Sequence, residues 1–274
     1  MTYIVTGASA GIGKSTAAQL ARTGAPVLLL CRSEARAQRA VDDIKRATGN
    51  DGVEFLLLDL GDYASIRACA DRILQRHQRI DALINNGGTG STRGGVTKDG
   101  FELCFGTNHL GHFLLTHLLL DRLVASAPSR IVTVTSKAHE WVKSIDWEAV
   151  VRPTQSETGF KEYQVSKLAN LLFTRALAER LQGTQVTTYA VHPGLVATNA
   201  LNKIPWWVRL LLAPVTISEE RGARPSVRCA TDPALAGVSG CYYAGLKEKA
   251  PARHAQERSL ADELWSRSAG WVGL

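Results

Sequence analysis

Cysteine is scarce in this 274-residue chain and poorly placed for cross-linking. The five cysteines, Cys31, Cys69, Cys104, Cys229 and Cys241, are odd in number, scattered and nowhere spaced C-x-x-C. That argues against both a disulfide framework and a zinc site. No basic and apolar leader precedes Tyr3, Ile4 and Val5, which already read as a buried strand. The expectation is a cytoplasmic protein with reduced thiols. Internal repeats, low-complexity tracts and a Pro/Gly/Ser linker are also missing, so one domain over 1–274 is the simpler organisation. The net charge is +7, but there are no long blocks of one sign. Basic and acidic residues intermingle along Ser33 to Arg46 and Asp62 to Arg79, as on solvated helix faces and unlike a nucleic-acid surface. The positive excess suits a small polyanion such as a phosphorylated cofactor.

What the chain does have is ordinary globular composition, 45% hydrophobic and 21% charged, with enough length for a large core. Apolar runs at Tyr3 to Thr6, Val27 to Cys31, Val53 to Leu58, Ala82 to Ile84, Ile131 to Thr135 and Val186 to Val191 predict strands. A last short strand is predicted near Gly240 to Tyr243, for about seven in all. Helical patterns fall near Ile12 to Arg22, Glu34 to Ala47, Tyr63 to His77, Asp99 to Ala125 and Phe160 to Gln182. This alternation predicts an α/β fold of Rossmann type, a doubly wound parallel sheet with helices on both faces. Two segments break the rhythm: Lys143 to Gly159, and 199–217, which contains PWWVRLLLAP. Irregular connections of this length are commonly functional loops or lids. For the apolar stretch 204–212 three readings stay open: a lid over a bulky ligand, a packed helix or subunit contact, and contact with a membrane surface. It is too short to span a membrane.

The first strand leads into Thr6-Gly7-Ala8-Ser9-Ala10-Gly11-Ile12-Gly13-Lys14. Glycines here remove Cβ atoms where a backbone must turn sharply and approach a ligand, and the following helix offers free N–H groups to a pyrophosphate. The second strand ends at Cys31-Arg32, with cysteine where a carboxylate would bind ribose hydroxyls. The Arg32 guanidinium can pair with a 2′-phosphate, so NADP(H) is favoured over NAD(H). Asp59 and Leu60, ending the third strand, fall at the adenine end of the same crevice. In Tyr163-Gln164-Val165-Ser166-Lys167 a phenol and an ammonium lie one helical turn apart on one face.

Taken in order, these motifs resemble the short-chain dehydrogenase/reductase family along almost the whole chain. Thr6-Gly7-x-x-x-Gly11-x-Gly13 looks like its cofactor turn. Asn85-Asn86-Gly87-Gly88 resembles its N-N-A-G segment, Thr107-Asn108-His109-Leu110-Gly111 its asparagine segment, and Ser136 its strand-end serine. Tyr163 to Lys167 matches Y-x-x-x-K, and His192-Pro193-Gly194-Leu195-Val196-Ala197-Thr198 resembles P-G-x-V-x-T. Stretches such as TNHLGHFLLTHLL and SKLANLLFTRALAERL are similar to the retinol dehydrogenase-like branch, many of whose members carry an N-terminal membrane anchor. One departure is Gly87, where the family pattern has alanine. The stretch from Ser136 to Tyr163 is also longer than in the shortest members.

The resemblance implies a catalytic set of Asn108, Ser136, Tyr163 and Lys167. It also implies cofactor contacts from Gly7, Ser9, Gly11, Ile12, Gly13, Arg32, Asp59, Leu60, Asn86, Gly87, Tyr163, Lys167, Pro193, Gly194, Val196 and Thr198, and a dimer or tetramer. Tyr163 would act as acid/base. Bringing a phenol of pKa about 10 near neutrality needs roughly 4 kcal/mol of differential stabilisation, which the Lys167 cation could help supply. Ser136 would hold the substrate oxygen, and Asn108 a water linking Lys167 to solvent. No metal is expected: His109, His112 and His117 share a helix without a carboxylate or cysteine partner at ligand spacing, and His192 is read as shaping its loop. The expected activity is NADP(H)-dependent interconversion of an apolar aldehyde or ketone and its alcohol. The rival is a nicotinamide-binding redox sensor or scaffold without turnover.

Overall fold

The computed structural model describes residues 1–196 and 216–274. Thr198, the apolar stretch 204–212 and all but the last two residues of 199–217 lie outside the described residues.

Strands β1 (Tyr3–Thr6), β2 (Val27–Cys31), β3 (Val53–Leu57), β4 (Ala82–Asn85), β5 (Ser129–Val134), β6 (Val186–His192), β7 (Cys241–Ala244) and β8 (Lys247–Glu248) form one sheet. Its order is β3-β2-β1-β4-β5-β6-β7-β8. All neighbours through β7 run parallel, and β8 adds a short antiparallel hairpin at the edge, one strand beyond the predicted seven.

Side-chain alternation divides the core into two layers. Ile4, Leu28, Leu30, Leu56, Leu83, Ile131, Ala190 and Tyr242 face α3 (Tyr63–Arg76), α5 (Gly111–Ala125), α7 (Phe160–Arg180) and α9 (Arg258–Val272). The intervening residues Tyr3, Val5, Val27, Leu29, Val53, Ile84, Val132, Tyr189, Val191 and Tyr243 face α1 (Gly11–Ala21), α2 (Glu34–Thr48) and α8 (Glu219–Thr231). A strand buried on both faces gains from every residue, about 1.5–3 kcal/mol for each fully buried large apolar side chain. That is why these strands read as unbroken apolar runs.

The long helix predicted from Asp99 begins later. Residues Asp99 to Phe101 are held in a turn by Thr97, whose N–H donates to Phe101 O, and the buried Glu102 caps α4 (Leu103–Phe105) by accepting the Phe105 N–H at 2.7 Å. The helix then widens into a π turn (Gly106–Leu110) before α5. Apolar periodicity registers the buried face of this stretch but carries no sign of the extra residue in the turn. The loop expected over Lys143 to Gly159 contains α6 (Trp147–Val150), started by Asp146 accepting two backbone N–H groups. Helices α8 and α9 are absent from the sequence-based expectation. Pro225 and a buried face of small residues hide α8, while α9 does carry helical spacing at Leu260, Ala261, Leu264, Trp265, Ala269 and Val272.

The close approach of α5 to the end of β3 fixes where the π turn lies. A Cβ on Gly111 would sit 2.3 Å from Leu60 O. Gly111→Ala is therefore expected to lower the unfolding free energy by about 1–3 kcal/mol, as overpacking does. Urea denaturation measures this, and an unchanged midpoint would mean that α5 can slide away without cost.

Candidate active site

The sheet reverses its winding at β1, which lies between β2 and β4, and opens a crevice at their carboxyl ends. Gly7, at φ +64°, turns the chain out of β1. A Cβ there would lie 2.6 Å from Gly87 Cα, and one on Gly13 would lie 2.4 Å from Gly7 O. The N-cap of α1, Ala10, offers no side-chain bond, and no acidic residue occupies the first turn. The helix therefore presents free N–H groups and positive dipole character beside Ser9, Gly11 and Ile12, with nothing of its own to neutralise them. This cradle fits a dinucleotide phosphate. At the end of β2, Cys31 is buried beneath the turn, with Ser9 and the Ala8 backbone bonding to its thiol. Arg32 is exposed and makes no ion pair with any described residue. Asp59 is half-buried and accepts the Gly61 N–H at 3.0 Å, and Leu60 packs beneath Gly87.

Three loops are joined beneath the crevice. Asn86 Nδ2 donates to Thr6 O at 2.9 Å, while the N–H groups of Asn86 and Gly87 both donate to Thr6 Oγ1, at 2.9 and 2.8 Å. A Cβ on Gly87 would lie 2.8 Å from Leu60 Cδ1, so alanine at this position would require Leu60 to shift. Asn108, buried in the π turn, clasps the same β4 loop farther on: its Oδ1 accepts the Thr89 N–H at 2.7 Å, and its Nδ2 donates to Thr89 O and Ser166 Oγ, both at 3.0 Å. Ser166 in turn donates to Tyr163 O.

Ser136, just beyond β5, and Tyr163 of α7 meet. Burial pushes the phenol pKa up, the Ser136 hydroxyl pulls it back by hydrogen bonding, and the buried Cys104 raises it further. Lys167 lies 5.4 Å from the centroid of the Tyr163 ring, and its Nζ donates to Val134 O at 3.2 Å. Burial lowers its pKa to about 8. The Ser136 turn is anchored by His139, whose backbone N–H and Nδ1–H both donate to Ser136 O, at 3.1 and 2.7 Å.

The structure thus brings Asn108, Ser136, Tyr163 and Lys167 together at the crevice with Gly7, Gly11, Gly13, Asn86 and Gly87. Beyond β6, Pro193 is buried and Gly194 takes φ +100°. Val196 packs against Gly222 of α8 instead of standing free. Four residues at or near the site have roles that the sequence motifs do not indicate: His112, His139, Cys104 and Arg36. His139, one turn after Ser136, has a legible spacing. Arg36, one turn after Arg32, does too. Among the described residues no group of three or more His, Cys, Asp and Glu is placed to hold a metal.

The buried ammonium has a consequence for stability. Lys167 titrates near 8 when folded and near 10.5 when exposed. Above the unfolded value both states are neutral. As pH falls below that value the unfolded chain takes up a proton that the native state refuses, so stabilisation present at high pH is lost until, below the folded value, both states are charged. Lys167→Met removes that poorly solvated charge and leaves Val134 O still bonded by Asn170 Nδ2. It should raise the unfolding free energy by about 1–3 kcal/mol near neutral pH, with the gain vanishing toward about pH 10.5. Urea melts across that range check this, and a pH-independent difference would refute it.

The short chain dehydrogenase family model matches residues 1–208. Human retinol dehydrogenase 13 is 44% identical over 288 residues, covering 100% of this chain and 85% of that protein. Mouse retinol dehydrogenase 12 is 42% identical, covering 99% and 86%. A crystal structure of an uncharacterised protein from Mycobacterium paratuberculosis superposes with a TM-score of 0.81 at 33% identity, covering 99% of this chain and 93% of that one. With the site geometry and these relatives in agreement, the chain belongs to the short-chain dehydrogenase/reductase family, in its retinol dehydrogenase-like branch.

Proposed function

We propose that this oxidoreductase uses NADP(H) to interconvert an apolar aldehyde or ketone and its alcohol. The observation that carries the reading is the Ser136 hydroxyl set against the Tyr163 phenol, beside the buried Lys167 ammonium. A nicotinamide bound in the crevice supplies or accepts the hydride. Gly7, Ser9, Gly11, Ile12 and Gly13 would hold its pyrophosphate on the α1 N-terminus. Asn86, Gly87, Pro193 and Gly194 would border the nicotinamide half, and Asp59 and Leu60 the adenine. Ser136 donates to the substrate oxygen and holds it against Tyr163, which gives that oxygen a proton in reduction and removes one in oxidation. Lys167 favours the phenolate by its charge, and Asn108 fixes the loop against which Lys167 packs. A Cβ on Gly88 would lie 3.2 Å from Asn108 Oδ1 and 3.7 Å from Lys167 Nζ.

The preference for the phosphorylated cofactor is supported by Arg32, exposed at the β2 end and without a carboxylate partner among the described residues, and by Arg36 one turn into α2, close enough to act electrostatically on Cys31. An apolar substrate is supported by aromatic surface leading away from the phenol. Phe160 is 48% exposed, and its ring lies at 15° to that of Tyr163, with centroids 6.4 Å apart. Trp141, 61% exposed, lies 6.0 Å beyond it. The names of the related retinol dehydrogenases point to the same kind of substrate.

Purified protein mixed with NADPH and a panel of apolar aldehydes should consume the reduced cofactor, followed by its absorbance. Cofactor binding without consumption across the panel would favour a sensor. Tyr163→Phe should keep cofactor affinity and lose turnover by at least about a hundredfold, and unchanged turnover would remove Tyr163 from the acid/base role. Arg32→Asp should shift the ratio of kcat/KM values toward NADH by about tenfold or more, and an unaltered ratio would put the phosphate contact elsewhere. Trp141→Ala should raise KM for long apolar aldehydes and leave that for acetaldehyde-sized substrates unchanged. Equal effects on both would show that the ring does not touch substrate.

A further inference from the structure

His112, on the first turn of α5, is fully buried among the elements that form the crevice. Its Nδ1 lies 2.9 Å from Asn108 O and its Nε2 lies 2.8 Å from Thr6 Oγ1. A carbonyl only accepts, so Nδ1 carries the hydrogen. Burial first, and the nearby Lys167 charge as well, oppose a second proton, while the bond to Asn108 O partly offsets them; the net effect lowers the imidazole pKa to about 4 and leaves Nε2 a bare acceptor at neutral pH. The Thr6 hydroxyl must then donate to Nε2. Its oxygen has two lone pairs left, and two backbone N–H groups, of Asn86 and Gly87, point at it from 2.9 and 2.8 Å. One proton and two lone pairs meet one acceptor and two donors, so every valence is used. Without the imidazole, the alternative acceptor for the hydroxyl is Ile84 O, at 3.4 Å.

We propose that His112 is a positioning residue that couples the π turn bearing Asn108 to the Thr6 hydroxyl that gathers the floor of the cofactor crevice. The chain of bonds runs from the Asn86 and Gly87 N–H groups through Thr6 and His112 to the Asn108 peptide. The Asn108 side chain carries it on to Ser166 and the backbone of Tyr163. In the low dielectric of the interior, each end of the imidazole restrains a different half of the site. The Nε2 end sets the surface against which a nicotinamide lies, and the Nδ1 end sets the carbonyl direction of the turn that packs beside Lys167. A protonated imidazole would require Thr6 Oγ1 to accept three hydrogen bonds, so the same burial that keeps His112 neutral keeps the floor intact.

The kinetic part of the test rests on the function proposed above; the spectroscopic and binding parts do not. Nitrogen-15 NMR of histidine-labelled protein should show His112 as the neutral Nδ1–H tautomer near neutral pH. An Nε2–H tautomer or an imidazolium would overturn the proposal. His112→Asn retains an amide donor near the Nδ1 position and loses the Thr6 contact. His112→Gln places its amide oxygen near Nε2 and loses the Asn108 contact. The asparagine variant should weaken NADPH binding, read by fluorescence titration, by about tenfold while kcat changes less than about threefold. The glutamine variant should reverse that pattern, and His112→Leu should lose both. Thr6→Val combined with His112→Asn should weaken NADPH binding no further than the more damaging single change. Equal losses of affinity and turnover in the two amide variants, or additive losses in the double variant, would overturn the coupling. Thermal melts separate these effects from unfolding, and the amide pair, closest in size and polarity, carries the test if the leucine variant does not fold. If no substrate is turned over at all, the proposed function fails, while the tautomer and the NADPH affinities still decide the role of His112.

Discussion

The mouth of the sheet depends on the backbones leaving β1 and β4 approaching so closely that no side chain fits between them. Gly7 meets Gly87, Gly13 meets Gly7, and a Cβ on either Gly7 or Gly13 would overlap main-chain atoms. This contact draws the start of α1 into the crevice and gathers the β1 and β4 loops around a single hydroxyl, that of Thr6. It also brings the reacting end of the crevice within reach of the π turn and of α7. Were these glycines replaced by larger residues, the loops of β1 and β4 would be forced apart and the start of α1 displaced from the Ser136–Tyr163 pair.

The second constraint is electrostatic. Lys167 is buried with a carbonyl as its hydrogen-bond acceptor and, among the described residues, no carboxylate paired with it, a costly environment for an ammonium. Tyr163 is held neutral by burial, and the Ser136 hydroxyl offsets part of that effect. Both groups sit where a charge appearing on a bound molecule would be felt strongly, because little water screens it. His109, His112, His139 and His192 are all pushed below the ordinary histidine range by burial, and His109, His112 and His139 serve as neutral hydrogen-bonding groups. A site built from poorly solvated polar groups lowers the stability of the fold, and the two thick apolar layers on either side of the sheet offset that cost.

Much of this architecture is legible in the order of the amino acids. The strands announce themselves because each is buried on both faces, and the boundaries of β1 and β2 fall where the apolar runs begin and stop. The glycine turn, the serine after β5 and the Tyr163/Lys167 pair are recognisable because each function needs a particular residue type at a short, fixed spacing. The π turn is not legible in this way. Its extra residue per turn is stabilised by contacts to Thr89 and Ser166, which lie 19 and 58 residues from Asn108. The late start of the helix after Asp99 depends on Glu102 finding Thr154, 52 residues away. Helix α8 gives little local signal because its buried face is made of small residues and holds Pro225, whereas the spacing of Leu260, Ala261, Leu264, Trp265, Ala269 and Val272 in α9 is legible in the sequence.

The sequence by itself determined the sheet, its two-sided burial and the chemical types at the crevice, because these follow from local periodicity and from short motifs with fixed geometry. Only the tertiary structure decided which hydroxyl faces which imidazole, how far the phenol and ammonium are withdrawn from water, and that His112 joins Asn108 to Thr6. Hydrogen-bond direction and desolvation are properties of groups brought together from distant parts of the chain, and no window of neighbouring residues contains them.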